Sequence, residues 1–215
     1  MKADKNYISS LAGEARCLPV EDASKMAIPE WYDEAKFQRY AAQAFYKRNA
    51  YAITLSVLYG LIAVMAVPSV LNVLMFTKKS STPFTAYRRY LLTILHFTIW
   101  YRDPLAPGTR FWRSLMYTRK AHDGTIKRTS AAKEGMIISQ RDMVLVQFSF
   151  AGYVVLKPEI TTSKRRMQLV LDQMMGPALT SPNDDFYRMT KALLDGMWYY
   201  NVTLDYEALL FITFG

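Results

Sequence analysis

Tyr87-Arg88-Arg89-Tyr90-Leu91-Leu92-Thr93-Ile94-Leu95-His96 opens a stretch that closes at Arg119-Lys120-Ala121-His122. Residues 87–101 contain no Pro or Gly and read as one helix up to Asp103-Pro104. On a helix Arg89, Thr93 and His96 fall at i, i+4 and i+7 and share a face. Ile94, Leu95, Ile99 and Trp100 are expected to pack around that face. A guanidinium, a hydroxyl and an imidazole in an apolar wall require partners or a ligand. Two readings stay open: a satisfied core network, or a site. His122 is the second of the chain's two histidines. From its neighbours alone it reads as a surface histidine in a basic loop.

Working back from this stretch, residues 49–77 contain no Asp, Glu, Lys or Arg. At about 1.5 Å per residue the run is long enough to cross a bilayer core of roughly 30 Å. Pro68 divides it into two expected helices, Ala52–Val67 and Ser69–Phe76. Neither alone has the roughly 20 residues that a straight span needs. The run therefore reads either as a membrane segment or as two buried core helices. Residues 31–48, after Pro29, are expected to be helical, with Trp31, Ala35, Ala41, Ala44 and Phe45 packing inward. Residues 1–28 have mixed charge and no clear period, and read as a loose arm with room for one short helix. The helical domain is then 29–215.

Going forward, Pro104–Gly108 reads as a loop. Arg110–Lys133 follows, with Arg110, Arg113, Arg119, Lys120, Lys127, Arg128 and Lys133 against the single acid Asp123. Such a run is ordinarily a solvated face. A nucleic-acid patch has less support, because no RNP, finger or helix-turn-helix pattern accompanies it. Ser139-Gln140-Arg141-Asp142 is a helix start signal for Met143–Leu156. Lys164–Met175 is a further expected helix. Asn183-Asp184-Asp185 starts an amphipathic helix with Phe186, Met189, Leu193, Met197 and Trp198 as its stripe. Tyr206–Phe214 is a last apolar piece, preceded by an Asn201-Val202-Thr203 sequon. All elements are helical, so the expected class is all-α.

Composition narrows the chemistry. With 27 basic and 18 acidic residues the formal net charge is +9, which favours an anionic neighbour. One cysteine excludes an internal disulfide and a cysteine-built zinc cage. There is no Gly-x-Ser-x-Gly, Walker or Gly-x-Gly-x-x-Gly pattern, and no Glu-x-x-His of a di-iron bundle. A site built from one imidazole, an apolar slot and cations is still compatible with the chain. Those are the needs of haem: an axial histidine, room for the macrocycle, and basic groups for two propionates.

Several runs resemble one family. They are Phe76-Thr77-Lys78-Lys79-Ser80-Ser81-Thr82-Pro83, Thr85-Ala86-Tyr87-Arg88-Arg89-Tyr90 and Thr93-Ile94-Leu95-His96. Val67-Pro68-Ser69, Ile138-Ser139-Gln140-Arg141-Asp142-Met143, Leu156-Lys157-Pro158 and Ala192-Leu193-Leu194-Asp195-Gly196-Met197-Trp198 extend the likeness. The family is the catalytic domain shared by the endoplasmic-reticulum oxygenase of mycophenolic acid biosynthesis and, remotely, the rubber oxygenases (latex-clearing protein).

The resemblance implies an all-α, globin-like fold holding haem b. It implies oxidation, with dioxygen, of a carbon–carbon double bond in a hydrophobic, isoprenoid-like substrate. By position Arg89 and Thr93 match the family's Arg-x-x-x-Thr pair, as catalytic residues, with Arg89 also beside the cofactor. His122 matches its proximal haem ligand. The resemblance also implies that a segment is missing after Pro158 and that the C-terminal end is truncated, with loss of activity a consequence. It places the protein at a membrane, that of the endoplasmic reticulum; a buried 49–77 would instead leave it cytoplasmic. The alternative function is a non-catalytic, membrane-associated helical protein.

Overall fold

The structure is a computed structural model that describes residues 2–18, 20, 26–38, 45–132, 138–156 and 168–198. The fold is all-α, as expected. The helices are α1 (Lys2–Ala12), α2 (Glu14–Cys17), α3 (Glu34–Lys36), α4 (Tyr46–Met65), α5 (Pro68–Thr77), α6 (Pro83–Arg102), α7 (Arg110–Ala132) and α8 (Gln140–Leu156). A π-helical turn at Leu171–Met175 leads into α9 (Gly176–Leu179), and α10 (Asp184–Trp198) follows.

α4 is the spine, because its apolar residues point two ways. Leu58, Ile62 and Met65 join Leu71 and Leu74 of α5, Ala86 and Tyr90 of α6, and the stripe Phe186, Met189, Leu193 and Met197 of α10 in one core. Ala63 and Val64 turn to a second core with Leu11, Ala15, Leu145, Phe148, Val170 and Met175. A helix that is uncharged from Asn49 onward and has no one dominant face suits burial between two layers. α4 crosses α8 very closely at Gly60, where a Cβ would overlap the backbone carbonyl of Ser149. Gly196 of α10 similarly lets α6 approach, with its absent Cβ only 2.8 Å from the Tyr87 amide.

The breaks in the chain have local causes. Val67 is extended, as a residue before proline prefers, and Pro68 opens α5 where its missing N–H is harmless. Lys78 ends α5 in the left-handed region at φ 53°, donating its N–H to Leu74 C=O. Thr82 and Thr85 form a reciprocal cap at the start of α6, again with proline at the first position. The Ser139/Asp142 start signal is realised: Ser139 N–H donates to Asp142 Oδ2 at 2.9 Å, and Asp142 N–H to Ser139 Oγ at 3.3 Å. Ser69 Oγ–H reaches the same carboxylate at 2.6 Å, tying α5 to the start of α8.

Four expectations change. The arm 1–28 carries α1 and α2, and Leu11 and Ala15 are buried under α8. Tyr7, Ile8 and Leu11 share a face of α1, a stripe diluted by the charges around it, and Ala15 of α2 joins the same core. In 31–48 the described helices are the short α3 and the start of α4, while 39–44 lie outside the described residues. Trp31 is 82% exposed and Ala35 is exposed, so neither packs inward. Leu95 faces outward too, since the inner faces of α6 are taken by α7 and α10. Finally, His122 lies within α7 and not in a loop, because Gly124 is absorbed into the helix. The link 157–167, Tyr206–Phe214 and the Asn201 sequon lie outside the described residues.

Candidate functional site

α6 and α7 form an antiparallel hairpin. Asp103, extended because Pro104 follows it, closes the hairpin by accepting Arg110 Nε–H at 2.6 Å and a second guanidinium N–H at 2.9 Å. One step inward, Ser114 of α7 is buried between two α6 side chains. Trp100 Nε1–H donates to Ser114 Oγ at 2.9 Å, and His96 Nδ1 lies 2.6 Å from the same oxygen. A hydroxyl has two lone pairs and one proton. With Trp100 on one lone pair, Nδ1 meets either the other lone pair or the proton. The His96 ring stacks on Tyr117 at 5.4 Å, and burial lowers its pKa. Its Nε2 is shut off from solvent with no partner among the described residues.

Further from the turn lie Arg89 on α6 and His122 on α7, near enough to interact electrostatically. Burial lowers the His122 pKa, and the Arg89 guanidinium lowers it further. The imidazole is therefore neutral near pH 7, with a lone pair to offer. Thr93, between the two ends, donates its hydroxyl to Arg89 C=O at 3.1 Å, the local bond a threonine makes within a helix. Thus Arg89, Thr93 and His96 do share a face of α6, and that face meets α7. Arg89 comes together with His122, and His96 comes together with Ser114. Thr93 makes its described bond within its own helix.

On α7 the spacing Trp112, Leu115, Arg119, His122 is 3-4-3, which lines up these four residues along the helix. The first three line a cavity of about 410 Å³, walled on its other side by Met26, Ile28, Trp31 and Phe37. His122 follows Arg119 by one turn and is not among the residues that line the cavity. Among the described residues no three His, Cys, Asp or Glu side chains converge on one point. A bare metal ion therefore has no donor set there, whereas a macrocycle that brings its own nitrogens needs one imidazole. His122, an imidazole kept neutral by burial and by the Arg89 charge, is one donor of the kind that the haem implied by the resemblance needs, though it does not line the cavity. His96 is a second imidazole of the same kind, held at Nδ1 and free at Nε2.

No family model, curated protein or solved structure matches this chain.

Ser114 and the cavity were not legible in the sequence. Ser114 matters only through the hairpin register, and the one signal for that register is the Asp103-Pro104 to Gly108 turn.

Proposed function

We propose that this chain is a haem-b-dependent oxygenase-type oxidoreductase with a globin-like core, of the family its motifs resemble, using dioxygen on a hydrophobic, isoprenoid-like substrate. The observation that carries the reading is the pairing of Arg89 with His122 across the hairpin. Two residues chosen by family position, far apart in sequence, lie near enough for the guanidinium to act on the imidazole, which supports the reading. Haem b, when bound, supplies the iron that activates dioxygen. His122 would hold it by a nitrogen kept unprotonated through burial and the Arg89 charge. Arg89 and Arg119 place positive charge for carboxylates of the cofactor. Trp100, Phe111 and Trp112 shield the hairpin from water. Spectra of the purified chain titrated with haemin test this. Wild type is expected to develop a ligated Soret band, and His122→Ala to lose it. Retention of the band in His122→Ala, with loss in His96→Ala, moves the ligand to α6. No band in wild type rejects the reading.

A second reading, a membrane-associated helical protein, is supported by α4. Tyr46–Met65 is the one described helix long and apolar enough to cross a bilayer, with a mean hydropathy of 1.3, although 44% of that window is buried within the fold. Detergent-free lysis decides between the readings: monodisperse protein in the soluble fraction rejects a membrane segment.

A further inference from the structure

One side of the α6–α7 hairpin is left open to solvent and joins an apolar ridge to a basic one. On α6, Phe84, Arg88, Leu92 and Leu95 recur at i, i+4, i+8 and i+11, and all four are exposed, the three apolar ones at 67%, 43% and 52%. On α7, Arg113, Tyr117, Lys120 and Arg128 recur at i, i+4, i+7 and i+15 and are exposed too. The two helices meet through His96 and Ser114. At 3.6 residues per turn, each ridge lies roughly a quarter turn back from the meeting face of its own helix. In an antiparallel pair, equal offsets of the same sense bring both ridges to one side. The stacking of Tyr117 on His96, the neighbour of Leu95, agrees with that. The side is also free of acids. α6 contains no Asp or Glu, and the one acid of α7, Asp123, pairs with Lys127 at 2.8 Å. Arg113 and Arg128 donate to the carbonyls of Gly108 and Gly124, which steadies each guanidinium without cancelling its charge. Arg88 lies over the Phe84 ring, 5.9 Å from its centre.

We propose that this side of the hairpin docks on the surface of an anionic lipid bilayer. Phe84, Leu92 and Leu95 enter the interfacial layer, and Tyr117 sits at the level of the headgroups. Arg88, Arg113, Lys120 and Arg128 meet the negative charge of the lipids. A nucleic-acid backbone would be met by the cations alone and would leave the apolar ridge without a use. A second copy on the same side would set these cations against their equivalents. The docking is peripheral: α4 stays between its two cores, and no helix crosses the bilayer. The haem reading uses none of these eight side chains, so the two stand or fall separately.

The test is flotation of the full chain with vesicles of phosphatidylcholine alone and of phosphatidylcholine mixed with phosphatidylserine. Binding is expected to the mixed vesicles only, and to weaken as salt rises. Leu92→Gln/Leu95→Gln is expected to lose about tenfold or more in affinity. Both side chains are exposed, and an unchanged helical circular dichroism spectrum checks that the fold is kept. Arg113→Gln/Lys120→Gln/Arg128→Gln is expected to lose about a hundredfold, at about fivefold per cation. Arg16→Gln/Lys36→Gln/Lys191→Gln removes the same charge outside the hairpin and is expected to bind nearly as wild type does. An equal loss in that second triple variant overturns the proposal, because binding would then follow net charge. Unchanged binding in Leu92→Gln/Leu95→Gln overturns it as well, as does wild type that ignores the mixed vesicles. Salt-sensitive binding to duplex DNA, with none to vesicles, overturns it in favour of a nucleic acid.

Discussion

The Arg89 guanidinium of α6 acts on the His122 imidazole of α7: burial lowers the imidazole pKa, and the guanidinium charge lowers it further. Arg89→Met removes the second cause and leaves the first. The His122 pKa is expected to rise toward its ordinary 6.5 without reaching it. The His96 pKa, lowered by burial alone, is expected to stay in place. Two imidazole proton resonances followed against pH measure both at once. A His122 midpoint indifferent to Arg89 removes the pairing on which the haem reading rests.

Acid should unfold the protein through the same histidines. Both have folded pKa values below 6.5. As pH falls through 6.5 the unfolded chain takes up protons first, so the native state loses stability from there down through the folded pKa values. Above that window the contribution is complete and flat. Urea midpoints between pH 7.5 and 5 are expected to fall in wild type. His96→Gln/His122→Gln should flatten that slope, whatever its effect on absolute stability.

Two glycines should respond oppositely to alanine. Gly60→Ala drives a Cβ into the Ser149 carbonyl, a backbone atom that cannot rotate away. The helices α4 and α8 must part, at a cost of about 1–3 kcal/mol or more. Gly124→Ala, in mid-α7 with nothing within 4 Å of its Cβ, should stabilise by roughly 0.5–1 kcal/mol through helix propensity. Denaturant melts of both variants check the sign at each site.

Ser114→Ala takes away one oxygen that serves two rings. His96 Nδ1 and Trp100 Nε1 are then left in a poorly solvated place, with an expected loss of about 1–3 kcal/mol. The partners share that oxygen, so effects should not add. His96→Phe combined with Ser114→Ala is expected to cost less than the two separately, and additivity in a thermal double-mutant cycle contradicts the shared bond.

The helical class was legible because its signals are local. Pro68, Thr82-Pro83, Asp103-Pro104 and Ser139/Asp142 each act within a turn of themselves. The α10 stripe was legible for the same reason, with Phe186, Met189, Leu193 and Met197 repeating at helical spacing. What the sequence hid was long-range. Trp31 looked like a core residue because it is large and apolar, but no described element covers it. His122 looked like part of a loop because it lies among cations and next to Asp123-Gly124, yet α7 runs through. The common face of Arg89, Thr93 and His96 followed from spacing. That it meets α7, with Ser114 opposite His96, followed only from the register fixed by Asp103 and Arg110.

The double duty of α4 bears on the order in which the molecule can be made. Its two sides are covered by α8 and α10, both later in the chain, and the Ser69–Asp142 bond joins groups 73 residues apart. Until those segments have emerged from the ribosome, the most apolar part of the chain has, among the described elements, α1, α2, α5 and α6 for cover but neither of its two main partners. Contacts of such separation form slowly, and an apolar surface that waits for them is open to aggregation. The nascent chain is therefore most dependent on chaperones between completion of α6 and arrival of α10.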